Sequence, residues 1–71
     1  MNNKPDWKDA PAWAQWLACD YDGNWYWYEE KPDNVNHEYC WSMRDGSIFE
    51  YAGCTNGVIC RNWKETLEKR T

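Results

Sequence analysis

Aromatic side chains carry the apolar content of this chain. Its 71 residues include seven tryptophans, five tyrosines and one phenylalanine, while Leu17 and Leu67 are the only leucines and Ile48 and Ile59 the only isoleucines. A domain of this length buries only ~60% of the surface that its unfolded chain exposes, so a few large side chains must make the core. Each buried aromatic removes roughly 150–250 Å² from water, and five or six of them supply what the aliphatic residues here cannot. Most of the tryptophans are therefore structural by default, and a single domain spanning residues 1–71 is expected.

Residues 1–10 are polar and contain Pro5, which reads as an N-terminal arm with at most one helical turn, capped by Asp6 with Asp9 three residues on. Beyond Pro11, the stretch WAQWLACDYDGNWYWYEE sets Asp22-Gly23 between two aromatic-rich runs. Asp-Gly suits the positive-φ positions of a type I′ hairpin turn, so strands are expected at about 13–21 and 24–30. With a two-residue loop, Cys19 faces Tyr26, Ala18 faces Trp27 and Leu17 faces Tyr28. That register puts Leu17, Cys19, Tyr21, Tyr26 and Tyr28 on one face, and Trp16, Ala18, Asp20, Trp25, Trp27 and Glu29 on the other. Large aromatics on both faces depart from the usual apolar-in, polar-out alternation of an antiparallel sheet.

The segment KPDNVNHE is a loop by composition. After it, YCWSM and SIFEYA flank Asp45-Gly46 and read as a second hairpin, with Met43 facing Ile48, Ser42 facing Phe49, Trp41 facing Glu50 and Cys40 facing Tyr51. Val58-Ile59-Cys60 reads as a short edge strand. Asn62 and Glu65 have the Ncap and N3 spacing that starts a helix, expected over 62–69, with Trp63 and Leu67 on one face. The expected fold is mainly β, a small α+β domain: an antiparallel four-stranded meander of two hairpins over 13–60 with a short C-terminal helix.

The formal net charge of −4 and the scattered basic residues argue against a partner bound through its nucleic-acid backbone, which clustered Lys and Arg would be needed to neutralise. Glu29-Glu30 is the only adjacent carboxylate pair, too sparse a pattern for a nucleic-acid mimic. No apolar run approaches the ~20 residues that span a bilayer, and MNNKPDWKDA lacks the apolar segment of a signal peptide, so no membrane association and a cytoplasmic location are expected. The only histidine, His37, sits in a polar loop with no Ser or Cys beside it to complete an activation motif. No enzymatic activity and no cofactor are expected. His37, Cys40, Cys54 and Cys60 make a chemically valid zinc set, but no tight Cys-x₂₋₄-Cys knuckle is present, and thiols acting as small hydrophobes, or a Cys54–Cys60 disulfide after isolation, compete with it.

The two-faced aromatic sheet is the strongest functional lead. Either one face fills the core and the other is covered by the arm or the C-terminal helix, or that second face stays exposed as an interface, for which Trp and Tyr are the favoured anchors. The candidate binding residues are Trp25, Tyr26, Trp27, Tyr28 and Trp41. A protein partner, including a second copy in a homo-oligomer, would cover such a face with apolar side chains. A nucleotide-like ligand would stack on it, with Arg44, Arg61 and Lys64 as candidate contacts.

The run from Trp7 to Pro32, with Ala10-Pro11, Trp13-Ala14, Leu17-Ala18, Asp20, Asp22-Gly23, Trp25-Tyr26-Trp27, Tyr28-Glu29 and Pro32, resembles a pattern in small accessory proteins of tailed bacteriophages. The ending Trp63-Lys64-Glu65, Leu67 and Arg70 resembles their C-termini. The resemblance implies a short protein made in the cytoplasm of infected bacteria, where small acidic proteins bind and block host factors, including defence factors. The leading expectation is thus a phage-derived, non-enzymatic binding protein that inhibits or modulates a host factor through an aromatic sheet surface. Sequestration of a nucleotide-like signal and a zinc-stabilised structural adaptor are the alternatives.

Overall fold

A computed structural model of the chain describes residues 4–34, 39–55 and 57–71. Four strands, β1 (Trp16–Cys19), β2 (Asn24–Tyr28), β3 (Phe49–Cys54) and β4 (Glu68–Lys69), form one open antiparallel sheet in the order β3-β2-β1-β4. Helical structure among the described residues is limited to two 3-10 turns, Trp7–Asp9 and Trp63–Glu65. The mainly β, four-stranded antiparallel class expected from the sequence is therefore what the chain adopts.

The first hairpin forms where Asp22-Gly23 places it, but its register is one residue away from the expected one. Gly23 N–H donates to Asp20 O at 3.0 Å and Asp20 N–H donates to Asn24 O at 2.9 Å, so the loop is the three residues Tyr21-Asp22-Gly23. Gly23 takes φ 90°, as expected for a turn whose third loop residue is left-handed. Cys19 thus pairs with Trp25, Ala18 with Tyr26, Leu17 with Trp27 and Trp16 with Tyr28. Because side chains alternate, this slip moves all of β2 to the opposite face relative to β1. Leu17 and Cys19 share a face with Trp25 and Trp27, while Ala18 clusters with Tyr28 on the other.

The expected second hairpin is not made. Asp45-Gly46 does turn the chain, with Ser47 N–H donating to Arg44 O at 3.0 Å, but β3 pairs with β2, matching Tyr51 to Tyr26 and Phe49 to Tyr28. Residues 41–43 instead belong to a layer laid over the sheet. Asp33 and Ser42 exchange backbone hydrogen bonds at 2.8 and 2.7 Å, and Trp41 donates its indole N–H to Cys19 O at 3.0 Å from a buried position. Burying that indole against β1 is incompatible with Trp41 standing in a strand opposite Glu50. Instead of a meander, the strand order is that of a Greek key, with the fourth strand returning beside the first.

The C-terminal helix expected over 62–69 reduces to the 3-10 turn Trp63–Glu65 followed by β4. Asn62 makes no side-chain cap, and Thr66 redirects the chain. Its hydroxyl donates to Trp63 O at 2.7 Å and accepts from Cys19 N–H at 2.8 Å, docking the segment on the open edge of β1. Residues 58–60 form no strand; Cys60 N–H donates to Tyr21 O at 2.8 Å and closes over the hairpin tip. In the arm, Asp6 caps as expected, accepting from Lys8 N–H at 3.0 Å.

Side chains from outside the sheet pack on both of its faces, which accounts for buried aromatics on each. Trp7, Ala10 and Trp13 pack on the Leu17, Trp25 and Trp27 face, with Trp7 5.0 Å from the Trp27 ring. Trp41, Trp63, Met43 and Leu67 pack on the Ala18 and Tyr28 face, with Trp41 edge-on to Trp63 at 5.7 Å.

Candidate functional site

The second cover does not reach the edge of the sheet. β3 is an edge strand, and its alternation sends Phe49 and Tyr51 to the face that carries Tyr26 and Tyr28. Tyr26 lies 5.7 Å from Tyr51 and 6.0 Å from Phe49, and Phe49 stacks on Tyr28 at 6.5 Å. Phe49 is 50% and Tyr51 53% exposed, with Ile48 also exposed just before the strand. The corner is thus an accessible aromatic surface beside a backbone edge that pairs with no further strand among the described residues. A bulge at Ala52, opposite Trp25 and Tyr26, bends the far end of this edge. Val58 and Ile59, exposed near the hairpin tip, form a separate apolar spot.

Where the covering layer meets this corner, it leaves a cavity of about 180 Å³ lined by Asp20, Tyr26, Tyr28, Cys40, Trp41, Met43 and Phe49. Asp20 follows β1, and its Oδ1 accepts from Trp41 N–H at 3.0 Å. Burial raises its carboxyl above the usual carboxylate value; the Trp41 N–H opposes the shift and nearby Asp22 adds to it. Burial likewise pushes the Tyr28 hydroxyl well above the usual tyrosine range, so it is neutral at physiological pH.

Of the five aromatic residues singled out in the sequence, Trp25, Trp27, Tyr28 and Trp41 are buried and Tyr26 alone is partly exposed. The three tryptophans are core, and the sheet surface left accessible is built instead on Tyr26, Phe49 and Tyr51. The candidate cations do not converge on it. Arg44 pairs with Glu30 at 3.6 Å, Lys64 lies over the Trp63 ring at 5.6 Å, Arg61 is exposed, and none of them lines the cavity. Cys40 lines the cavity and Cys54 ends β3. Cys60 sits against Cys19, whose buried thiol is pushed up to about 12 by burial first and by Cys60 next. None of the four is disulfide-bonded in this structure. His37 lies outside the described residues, and among the described residues no three His, Cys, Asp or Glu side chains are arranged to hold a metal ion.

Sequence reasoning missed Phe49, Tyr51 and Asp20. Pairing Phe49 with Ser42 gave β3 the wrong neighbour and so hid which rings lie beside Tyr26 and Tyr28, although its two aromatics at i and i+2 already bore a weak signal. No helix among the described residues is long and apolar enough to cross a membrane. No protein-family model, curated protein or solved structure matches this chain.

Proposed function

We propose that the chain is a non-enzymatic binding protein that engages a protein partner along β3, and that it acts as a phage-derived inhibitor or modulator of a host factor in the bacterial cytoplasm. The observation that carries this reading is the edge strand itself. Edge strands are ordinarily blunted by Lys, Pro, a bulge or inward-pointing charge, because an open edge recruits other strands. β3 has neither Lys nor Pro, its bulge is confined to the Ala52 end, and it presents the half-exposed Phe49 and Tyr51 along an edge that pairs with no further strand among the described residues. An extended segment of a host protein would add to β3 by main-chain hydrogen bonds, with Phe49 and Tyr51 supplying side-chain recognition and Tyr26 supporting them. Inhibition would then be occlusion of that segment. The resemblance to phage accessory proteins supplies the biological setting.

Phe49→Lys and Tyr51→Lys replace solvent-facing rings and should keep near-wild-type thermal stability while weakening partner binding by about 100-fold, the loss of a hot-spot side chain. Amide exchange along β3 should slow on complex formation. A partner that binds both variants at wild-type strength, or that protects some other surface, refutes the reading. If light scattering finds an oligomer that the same two variants convert to monomer, the segment added to β3 belongs to a second copy and the host-protein assignment fails.

A further inference from the structure

The cavity between the sheet corner and the Trp41 segment has a chemistry of its own. Its walls bring together the aromatic residues Tyr26, Tyr28, Phe49 and Trp41, and its one carboxylate is Asp20. Among the described residues no Lys or Arg lines it. The contrast with the rest of the molecule is informative. Trp16 takes both Lys31 and Lys69 over its ring, at 5.6 and 5.9 Å, Trp63 takes Lys64, and Trp7 takes Arg70, so cation–ring contacts are satisfied from within the chain wherever they form outside the cavity. Among the described residues the cavity rings have no such internal cation.

We infer that this cavity is a binding site for a small alkylammonium group, held by Asp20 as counter-charge and by the faces of the surrounding rings. Aromatic rings attract a cation within ~6 Å through their quadrupoles, and methylated ammonium groups are the cations such cages take best, because their low hydration makes entry inexpensive. An anion is excluded by Asp20 and by Asp22 beyond it. A nucleotide is excluded by size, since sites for drug-sized ligands run to ~300–1,000 Å³ and this cavity is about 180 Å³. Among the described residues the Asp20 carboxylate accepts one hydrogen bond, from Trp41 N–H, so a cation in the cavity gives the half-buried carboxylate a further partner. The raised Asp20 carboxyl fits a negative charge that burial leaves under-compensated. The site shares Phe49 and Tyr26 with the surface proposed for strand addition on β3, but Tyr51 does not line it and Asp20 is not on the edge, so substitutions at Asp20 and at Tyr51 separate the two.

Tetramethylammonium and choline, titrated at matched ionic strength, provide the test. The Trp41 indole N–H and the Trp41 backbone N–H should show saturable NMR shifts, with Kd on the order of 1 mM. Asp20→Asn keeps an acceptor for Trp41 N–H and should weaken binding about tenfold, and Phe49→Leu, which removes one ring, should weaken it about threefold. The neutral isostere of choline, with carbon in place of nitrogen, should bind about tenfold more weakly than choline. Absence of saturation, equal binding of the neutral isostere, or unchanged affinity in Asp20→Asn overturns the inference. A short peptide carrying trimethyllysine decides the source: tighter binding than choline means that the cation arrives on a polypeptide, and weaker binding means a free small molecule. Tyr51→Thr, which puts no charge beside the cavity, should leave cation binding intact whatever becomes of the protein partner.

Discussion

Gly23 shows how one backbone position fixes a whole face. Its φ of 90° closes the three-residue loop, and a Cβ there would run into Thr55 Oγ1 and Val58 O, because Thr55 N–H donates to Gly23 O at 3.0 Å and draws the 55–58 segment over the turn. Gly23→Ala should therefore cost about 3 kcal/mol, combining a left-handed alanine with overpacking. Gly46 has a similar φ of 88° but open space around it, so Gly46→Ala should cost only about 1 kcal/mol. Denaturant titration of the pair measures the difference, and equal effects would mean that the 55–58 segment gives way. What was legible at this scale was the turn. Asp22-Gly23 declared a hairpin, but whether the loop held two residues or three depended on hydrogen bonds that the dipeptide does not encode, and the assignment of Tyr26 and Trp27 to faces followed from that choice.

At the level of elements, β4 exists because a side chain replaces a strand partner. Cys19 N–H, at the end of β1, has Thr66 Oγ1 as its acceptor at 2.8 Å, and β4 continues the pairing from Leu17 and Trp16 to Glu68 and Lys69. Thr66→Val preserves shape and leaves that N–H without its partner, which should destabilise the fold by about 2 kcal/mol. Amide exchange at Cys19 should accelerate in the variant; unchanged exchange would show that water or a shifted backbone replaces the hydroxyl. The sequence spelled a helix here because Asn62 and Glu65 have capping spacing. Thr66, bonded to β1 across the sheet edge, wins against that local preference, as tertiary contacts commonly do for short helices. The 41–43 segment follows the same logic: its alternation suits a strand, yet burial of the Trp41 indole against Cys19 O holds it as cover.

Across the whole molecule, the two ends of the described chain are clasped together. Lys4 pairs with Glu68 at 2.7 Å, Trp7 donates its indole N–H to Glu68 at 3.1 Å, and Arg70 donates to Pro11 O and Ala14 O while lying 5.5 Å from the Trp7 ring. This clasp holds the arm over Trp27. Trp7→Ala should destabilise the fold by about 2 kcal/mol and expose the Trp25 and Trp27 face to an apolar dye, since Trp7 is only partly buried. Acid acts on the clasp in a definite direction. Glu68 is lowered from 4.5, chiefly by its bond to Lys4, so its contribution is present above pH 4.5 and is lost as pH falls through the lowered value. Asp20, raised from 3.8 by burial, acts oppositely: its protonation favours the fold below pH 3.8 and that gain disappears as pH rises through the raised value. By itself the sequence determined that aromatics, most of the tryptophans among them, must make the core of so short a chain, that Asp-Gly would turn it twice, and that the result would be antiparallel β, because composition and turn chemistry act locally. Only the tertiary structure decided the hairpin register, the strand beside β2, the fate of the C-terminal segment and the rings left open at Tyr26, Phe49 and Tyr51. Each of these depends on which distant groups meet, such as Thr66 with Cys19 and Trp41 with Asp20, and sequence neighbours do not fix such long-range pairings.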